Sequence, residues 1–181
     1  MQLFLINLIL VVYSLFSFVR ADMTTDAIHL QGLASNTADT IFASLNGTAY
    51  LNTSDLVSGV AAAIQGADSM VVSNISSSGI ANISLNDAYF NYVDSMLYLA
   101  DTVQRRGRLF HSELNLPVYQ ALQNLSSAVS TYGHDLTSNH LIQRNSTIRT
   151  LTTGSAIVNA QTAWANNQNY PGKREASSWF A

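Results

Sequence analysis

The chain has 181 residues, no cysteine, and a formal net charge of −3 from 8 basic and 11 acidic residues. This acidic balance argues against nucleic acid as a partner, and the absence of cysteine excludes disulfide staples and thiol chemistry. Charged residues make up only 10% of the chain, well below the roughly 25% of an ordinary soluble domain. Serine, threonine and asparagine must therefore keep the surface hydrated.

The amino terminus has the pattern of a secretory signal peptide. Leu3 to Phe18 is an almost unbroken apolar run, shorter than the roughly 20 residues that cross a bilayer. Val19 and Ala21 supply the small residues of a cleavage site. We expect a signal peptide at 1–21, cleavage between Ala21 and Asp22, and secretion to the medium or the cell wall without a membrane span. A retained anchor is the alternative.

Two segments after the signal peptide carry the three-and-four apolar spacing of one helix face. The first runs from Met23 to Leu45, and the second begins at Ser54, which we expect to be its N-cap. Their apolar positions are Leu30, Leu33, Ala34, Ala38, Ile41 and Leu45 in the first, and Val57, Val60, Ala61, Ile64, Ala67 and Val71 in the second.

The third predicted helix starts near Ser84, with Asp87 three residues later as a weak capping box. Its main apolar line is Tyr89, Val93, Met96, Ala100, Val103 and Phe110, and it carries further apolar residues off that line, namely Phe90, Tyr92, Leu97, Tyr98 and Leu99. Apolar residues on all sides predict a central helix or one with a second partner surface.

A fourth helix is predicted with Pro117 in its first turn, and we expect Gly133 to end or bend it. Its apolar stripe is Val118, Ala121, Leu122, Leu125, Val129, Tyr132 and Leu136. A weaker fifth segment spans Ser146 to Gln168, and its apolar members are Ile148, Leu151, Ile157, Val158 and Trp164. The sequence therefore predicts an all-α helical bundle of four to five amphipathic helices at 22–170, followed by a flexible tail at 171–181.

Six Asn-x-Ser/Thr acceptors occur in the chain, which is more than chance would give. They are Asn46, Asn52, Asn74, Asn82, Asn124 and Asn145. Five lie at or near predicted loops, and Asn124 lies on the polar face of the fourth helix. We therefore expect a glycoprotein.

The order of these features resembles the fungal hydrophobic surface-binding protein A family, which includes the antigenic cell-wall galactomannoproteins. The resemblance is carried by the stretch from Val103 to Phe110, which holds a basic pair followed by Phe, and by the Leu-x-x-Leu helix from Leu122 to Val129. The family implies a helical bundle that adsorbs to hydrophobic surfaces or holds a fatty acid between its helices.

From this resemblance and the surplus of apolar positions on the third helix, we expect a binding face on the third and fourth helices. Its partner is a fatty acid, another apolar ligand or a hydrophobic surface, and cell-wall glycans are a second candidate partner. The candidate binding residues are Val93, Met96, Leu97, Ala100, Val103, Phe110, Leu122, Leu125 and Val129. The alternative is that these stripes form only the core.

Two basic groups stand out. Arg105, Arg106 and Arg108 are interpreted as a solvated helix end whose cations oppose the helix dipole, with an anchor for a lipid carboxylate as the alternative. Lys173 and Arg174 precede Glu-Ala in the tail and resemble a site of the fungal Kex2-type processing protease. An inert tail is the equal alternative.

No known catalytic motif or Gly-rich phosphate loop is present, and His29, His111, His134 and His140 are scattered. We expect no catalytic site, no metal and no cofactor, although a site assembled only in three dimensions stays open. The leading hypothesis is a secreted, non-enzymatic glycoprotein that binds lipids or hydrophobic surfaces. The alternatives are a structural or antigenic cell-wall mannoprotein without a small ligand, and the precursor of a processed carboxy-terminal peptide.

Overall fold

The computed structural model describes residues 2–45, 51–74 and 83–165, with side chains described for 23–45, 51–72 and 84–165. It contains five helices, and the described part of the chain has no β-strand, so the predicted all-α bundle is confirmed. The helices are α1 (Gln2–Ala43), α2 (Thr53–Asn74), α3 (Ile83–Arg108), α4 (Asn115–Ser138) and α5 (Ser146–Ala165).

Each helix has two principal neighbours, and together the contacts close a ring. α1 packs on α3, α3 on α5, α5 on α4, α4 on α2, and α2 returns to α1. The contact between α1 and α3 is the most extensive, and that between α1 and α2 is the smallest of the five. α2 is therefore held to the bundle mainly through α4.

The core lies inside this ring, and the apolar stripes of α1, α2 and α4 face it as predicted. All but three of the residues predicted for these stripes are buried; Leu33 and Ala67 are only partly buried, and Leu45 lies beyond the end of α1. These helices form because their apolar side chains recur every three to four residues and can leave water together. Among the residues with described side chains, no helix is long and apolar enough to cross a membrane.

The N-cap predicted for α2 is wrong by two residues. The helix begins at Thr53, and Asn52 caps it, because Asn52 Oδ1 accepts hydrogen bonds from the Asp55 N–H at 3.4 Å and the Ser54 hydroxyl at 2.9 Å. Asparagine is as good an N-cap as serine. The hydroxyl of Ser54 does not cap the helix but donates a hydrogen bond to the capping side chain of Asn52.

The start of α3 and the first-turn position of Pro117 in α4 are confirmed to within a residue. Gly133, in contrast, does not end α4, which continues to Ser138. A Cβ at Gly133 would lie 2.5 Å from the Tyr89 hydroxyl and 2.8 Å from Thr150 Cγ2. This glycine therefore serves the close approach of α3 and α5 to α4.

The apolar stripe predicted for α5 is only partly correct. Ile157 and Trp164 are buried, but Ile148, Leu151 and Val158 point to solvent. The other buried positions of α5 are Ser146, Thr153 and Ala160. Their small side chains allow α5 to lie close to α3 and α4, and the Thr153 hydroxyl bonds the Arg149 carbonyl of its own helix at 3.1 Å, so its burial leaves no orphaned polar group.

Candidate functional site

Most residues predicted to bind an apolar ligand lie in the closed core. Seven of them are buried together between the helices: Val93, Met96, Ala100, Val103, Leu122, Leu125 and Val129. Leu97 is only partly buried. In this arrangement the side chains pack against one another, and an acyl chain would reach them only if the helices parted.

Phe110 departs from the predicted line. α3 ends at Arg108, and Phe110 lies in the following connection with 57% of its surface exposed. The helical spacing that predicted the position of Phe110 therefore no longer applies at this residue. Phe110 does not share a face with Val103 and Met96.

An exposed aliphatic surface lies instead on α5. Ile148, Leu151 and Val158 are 69%, 66% and 50% exposed, and their spacing of three and seven residues keeps them on one side of the helix. We call these three residues the α5 stripe. Serine and threonine side chains, Thr152, Ser155 and Thr162, lie between and beside them and are also exposed.

The α5 stripe has almost no charge around it. Arg149 is the sole charged residue of α5, and its guanidinium reaches Asp94 of α3 at 3.1 Å and lies 4.5 Å over the Phe90 ring. The guanidinium of Arg149 therefore lies against α3. From residue 150 to 165 the helix carries no charged side chain, so little polar surface opposes contact with an apolar material.

A cleft of about 380 Å³ runs beside the stripe, between α4 and α5. Its lining is Ser130, Gly133, His134, Thr137, Ser138, Thr147, Thr150 and Leu151. The Thr137 and Thr150 hydroxyls bond carbonyls of their own helices at 2.7 and 3.0 Å. Since Leu151 belongs to both features, the stripe forms one rim of the cleft.

The basic cluster predicted at the end of α3 divides into two kinds of residue. Arg105 and Arg108 are not buried, and Arg105 pairs with Asp101 at 2.8 Å on the surface. Arg106, however, is only 2% exposed and forms an ion pair with the buried Glu113 at 2.5 Å. The interpretation as a solvated helix end is therefore wrong for Arg106, because an acid seven residues away in sequence draws its guanidinium inside.

Glu113 is the centre of a buried polar network at this end of the bundle. It accepts a hydrogen bond from the Thr53 N–H at 2.7 Å and another from the Thr53 hydroxyl at 2.9 Å. Arg106 Nη1 donates to the Ser44 hydroxyl at 2.9 Å. The network thus joins the end of α1, the start of α2, α3 and the connection to α4. No local sequence pattern indicates it, because the partners come from four separate segments.

His111 and Trp164 stack beside this network, with ring centroids 4.5 Å apart. The indole N–H donates to the Val103 carbonyl at 2.9 Å, and Gly107 leaves room for the ring. Burial lowers the pKa of His111, Arg106 lowers it further, and Glu113 opposes both. The imidazole is therefore held neutral as a packing element rather than as a surface cation.

Three tyrosines meet in the core near the opposite end of α3. Tyr89, Tyr92 and Tyr132 have ring centroids 5.6 to 6.2 Å apart. The Tyr89 hydroxyl bonds Thr150 Oγ1 at 2.7 Å, whereas those of Tyr92 and Tyr132 are buried without a hydrogen-bond partner among the described residues. Burial raises the pKa of Tyr89 to about 12 and raises the pKa of the other two as well.

Asp68 of α2 lies near Asp135 of α4 beside this cluster. Burial raises the pKa of Asp68, and the neighbouring Asp135 carboxyl group raises it further. Asp68 Oδ1 is buried without a hydrogen-bond partner in the described part of the chain. Tyr132 is close enough for the charges of Asp26 and Asp68 to raise its pKa.

Three of the six predicted glycosylation acceptors fall among residues with described side chains. Asn52, Asn124 and Asn145 are all exposed, as attachment of a glycan requires. Asn74 is the last residue of α2, without a described side chain. Asn46 and Asn82 lie outside the described residues, as do the predicted processing residues Lys173 and Arg174.

The four histidines of the chain lie among the described residues and do not cluster. His29, His134 and His140 are exposed and His111 is buried, and no three acidic or histidine residues in the described ranges are grouped to hold a metal ion. His134 Nε2 lies 3.3 Å from the exposed Ser138 hydroxyl, one helical turn away. No acidic residue lines the cleft that contains them, so the pair lacks the third group that orients a catalytic histidine.

Comparison with known proteins adds no relative. No protein-family model, no curated protein and no solved structure matches this chain.

Proposed function

We propose that this chain is a secreted, non-enzymatic glycoprotein of a fungal cell wall or its surroundings that adsorbs to apolar material. The observation that carries the proposal is the α5 stripe: three aliphatic side chains on one helix face, each at least half exposed, on a helix without charge from residue 150 to 165. The resemblance to hydrophobic surface-binding proteins and the apolar amino-terminal run support it.

The geometry favours adsorption over an internal acyl-chain site. The α5 stripe is accessible as it stands, whereas the predicted binding residues of α3 and α4 are mostly buried against each other. Opening the bundle to admit a fatty acid would expose that core to water, and each buried methylene contributes about 0.8 kcal/mol. A fatty acid held flat against the α5 stripe needs no such opening.

Adsorption to hydrophobic beads tests the proposal. The triple variant Ile148→Ser, Leu151→Ser, Val158→Ser removes the stripe, and Ile28→Ser, Phe42→Ser, Phe110→Ser removes three other apolar side chains that are at least half exposed. If contact with the bead stabilises adsorption by about 1 kcal/mol per side chain, the first variant binds on the order of 100-fold more weakly. The second retains most of the binding. Equal loss in both variants contradicts the assignment to α5.

The second candidate is a structural or antigenic wall mannoprotein whose glycans are the functional part. It is supported by the exposure of Asn52, Asn124 and Asn145. Enzymatic removal of the glycans separates the two functions: adsorption through α5 survives deglycosylation, while a glycan-based function does not. Mass spectrometry of the secreted protein also tests the third candidate, because a processed precursor ends at Arg174.

A further inference from the structure

The exposed face of α5 has the spacing of a helix that packs against another helix. At intervals of three, four, three and four residues it presents Ile148, Leu151, Ser155, Val158 and Thr162, and all five are exposed. A spacing that averages about 3.5 residues keeps one line of side chains turned toward a partner helix. We call these five residues the α5 seam, and the α5 stripe is its aliphatic part.

Large and small side chains alternate along the α5 seam so that it fits a second copy of itself. Two copies of α5 can cross antiparallel about a twofold axis that passes between Leu151 and Ser155. Leu151 then lies against Ser155 of the second copy, and Ile148 lies against Val158 of the second copy. A Cβ at the neighbouring Gly154 would have no atom within 4 Å apart from the backbone of its own helix. Gly154 and Ser155 therefore leave a hollow that receives Leu151, as in the interlocking of closely packed helices.

The hydroxyl groups of this face can be covered without the loss of a hydrogen bond. The side chains of Thr152, Ser155 and Thr162 each donate to the carbonyl four residues earlier in α5, at 3.0 Å in all three cases. Burial of a hydroxyl is costly mainly where it has no hydrogen-bond partner. Contact with a second copy therefore leaves none of these three groups orphaned.

The distribution of charge favours this face for contact between two copies. The chain has a net charge of −3, so two copies repel each other overall. α5 is the one helix of the described structure that contains no acidic residue. Its single cation, Arg149, lies against α3, where it pairs with Asp94 at 3.1 Å. Two copies can therefore bring their α5 helices together without placing like charges against each other.

The size of the α5 seam limits the strength of such a contact. From Ile148 to Thr162 the helix rises roughly 21 Å, at about 1.5 Å per residue, and the face of one helix is about 10 Å wide. This strip is smaller than the roughly 800 Å² that each partner buries in a stable complex. A pair of copies joined only here therefore dissociates when the protein is dilute.

We propose that the chain forms a weak antiparallel dimer in which the α5 helices of two copies pack against each other along the α5 seam. The dimer covers the α5 stripe in concentrated solution, and dissociation uncovers it. The dimer involves the same residues as the proposed adsorption but does not rest on it, because two copies pair whether or not an apolar surface is present. Pairing and adsorption compete for the stripe.

Sedimentation equilibrium of the secreted chain tests the dimer at total concentrations from about 1 μM to about 1 mM, where weak complexes dissociate. The glycans are removed enzymatically, because Asn145 is exposed one helical turn before Ile148. The average mass rises from one chain toward two with concentration. Ser155→Arg places a guanidinium against Leu151 of the second copy and raises the dissociation constant at least tenfold. Ser69→Arg, at an exposed serine of α2, is the matched control and leaves it unchanged.

Cysteine substitution tests the antiparallel arrangement, because the natural chain has no thiol. After mild oxidation of a mixture of Ile148→Cys and Val158→Cys chains, disulfides join unlike chains, since only facing residues come close enough to be bridged. A mass of one chain at every concentration, an unchanged dissociation constant in Ser155→Arg, or disulfides between like chains alone overturns the dimer. Bead binding of the unmodified chain is measured separately while the protein is dilute, so adsorption and pairing can each fail independently of the other.

Discussion

Individual residues in this bundle decide how closely the helices approach one another. Trp164, near the carboxyl end of α5, fills the space between α3 and the connection to α4, and it fits because position 107 has no side chain. Gly107 directly follows Arg106, the residue that pairs with Glu113, so the two close contacts share one turn of α3. The sequence shows the cluster of arginines but does not indicate the burial of Arg106, because that burial depends on a partner supplied by another segment.

Replacing Gly107 by alanine is predicted to destabilise the fold. The new Cβ would lie 2.6 Å from the Trp164 indole nitrogen, and overpacking of a rigid buried ring costs about 1–3 kcal/mol. Gly59→Ala on α2 is the matched control, because a Cβ at that position would have no neighbouring atom within 4 Å outside its own helix and alanine favours a helix by roughly 0.5–1 kcal/mol over glycine. Thermal unfolding should show a lower midpoint for the first variant and an equal or higher one for the second.

Removal of Glu113 is predicted to be among the most damaging single changes. Glu113→Ala leaves the guanidinium of Arg106 buried without its counter-charge, which typically costs about 3–5 kcal/mol, and it frees the first turn of α2. The double variant Arg106→Met, Glu113→Leu removes both charges and should be more stable than Glu113→Ala. Urea titration measures the free energy of unfolding of both variants. A decrease of less than about 1 kcal/mol in Glu113→Ala contradicts the network.

At the scale of helices, four of the five apolar stripes could be predicted from spacing. α1, α2, α3 and α4 each turn an apolar face to the core, and on α3 five of the six predicted residues are buried, with Phe110 beyond the end of the helix. Hydropathy and burial therefore agree on these four helices. They disagree on α5, where Thr153 is buried and Ile148 is exposed. A threonine hydroxyl that bonds a carbonyl of its own helix can be buried at little cost, and close helix packing favours small residues over large ones. Hydrophobic periodicity depends only on which residues are apolar, so it does not predict a buried threonine together with an exposed isoleucine.

The same distinction separates residues of the core from residues of the proposed binding surface. Met96→Ala is expected to lower the free energy of unfolding by about 2–5 kcal/mol, because Met96 is fully buried and the change leaves a cavity. Ile148→Ala on the exposed stripe is expected to change it by less than about 0.5 kcal/mol. Urea titration of both variants checks the pair, and comparable losses would place Ile148 in the core.

At the scale of the molecule, the bundle and the predicted signal peptide meet within α1. The helix runs from Gln2 to Ala43, so the cleavage predicted after Ala21 falls within it. Fold class could be predicted from the sequence, whereas the ring order of the helices and the α5 stripe depend on contacts between distant segments and could not.

The mature amino terminus is predicted to be Asp22, because Val19 and Ala21 occupy the small-residue positions of a signal-peptidase site. A chain produced without residues 1–21 should show the same mostly helical far-ultraviolet circular dichroism and the same melt as the secreted protein, with no response to reductant because there is no cysteine. Mass analysis of the secreted protein identifies the terminus directly. Recovery of secreted chains that still begin at Met1 contradicts the cleavage.

Adsorption through α5 is the central claim, and one binding measurement tests it most directly. Three glycosylated proteins are titrated onto the same hydrophobic beads: the unmodified protein, the triple variant of the α5 stripe, and the triple variant of Ile28, Phe42 and Phe110. Circular dichroism shows that each of them is folded. We predict binding by the unmodified protein and by the second variant, and a loss of affinity on the order of 100-fold for the stripe variant. A folded stripe variant that binds as tightly as the unmodified protein contradicts it.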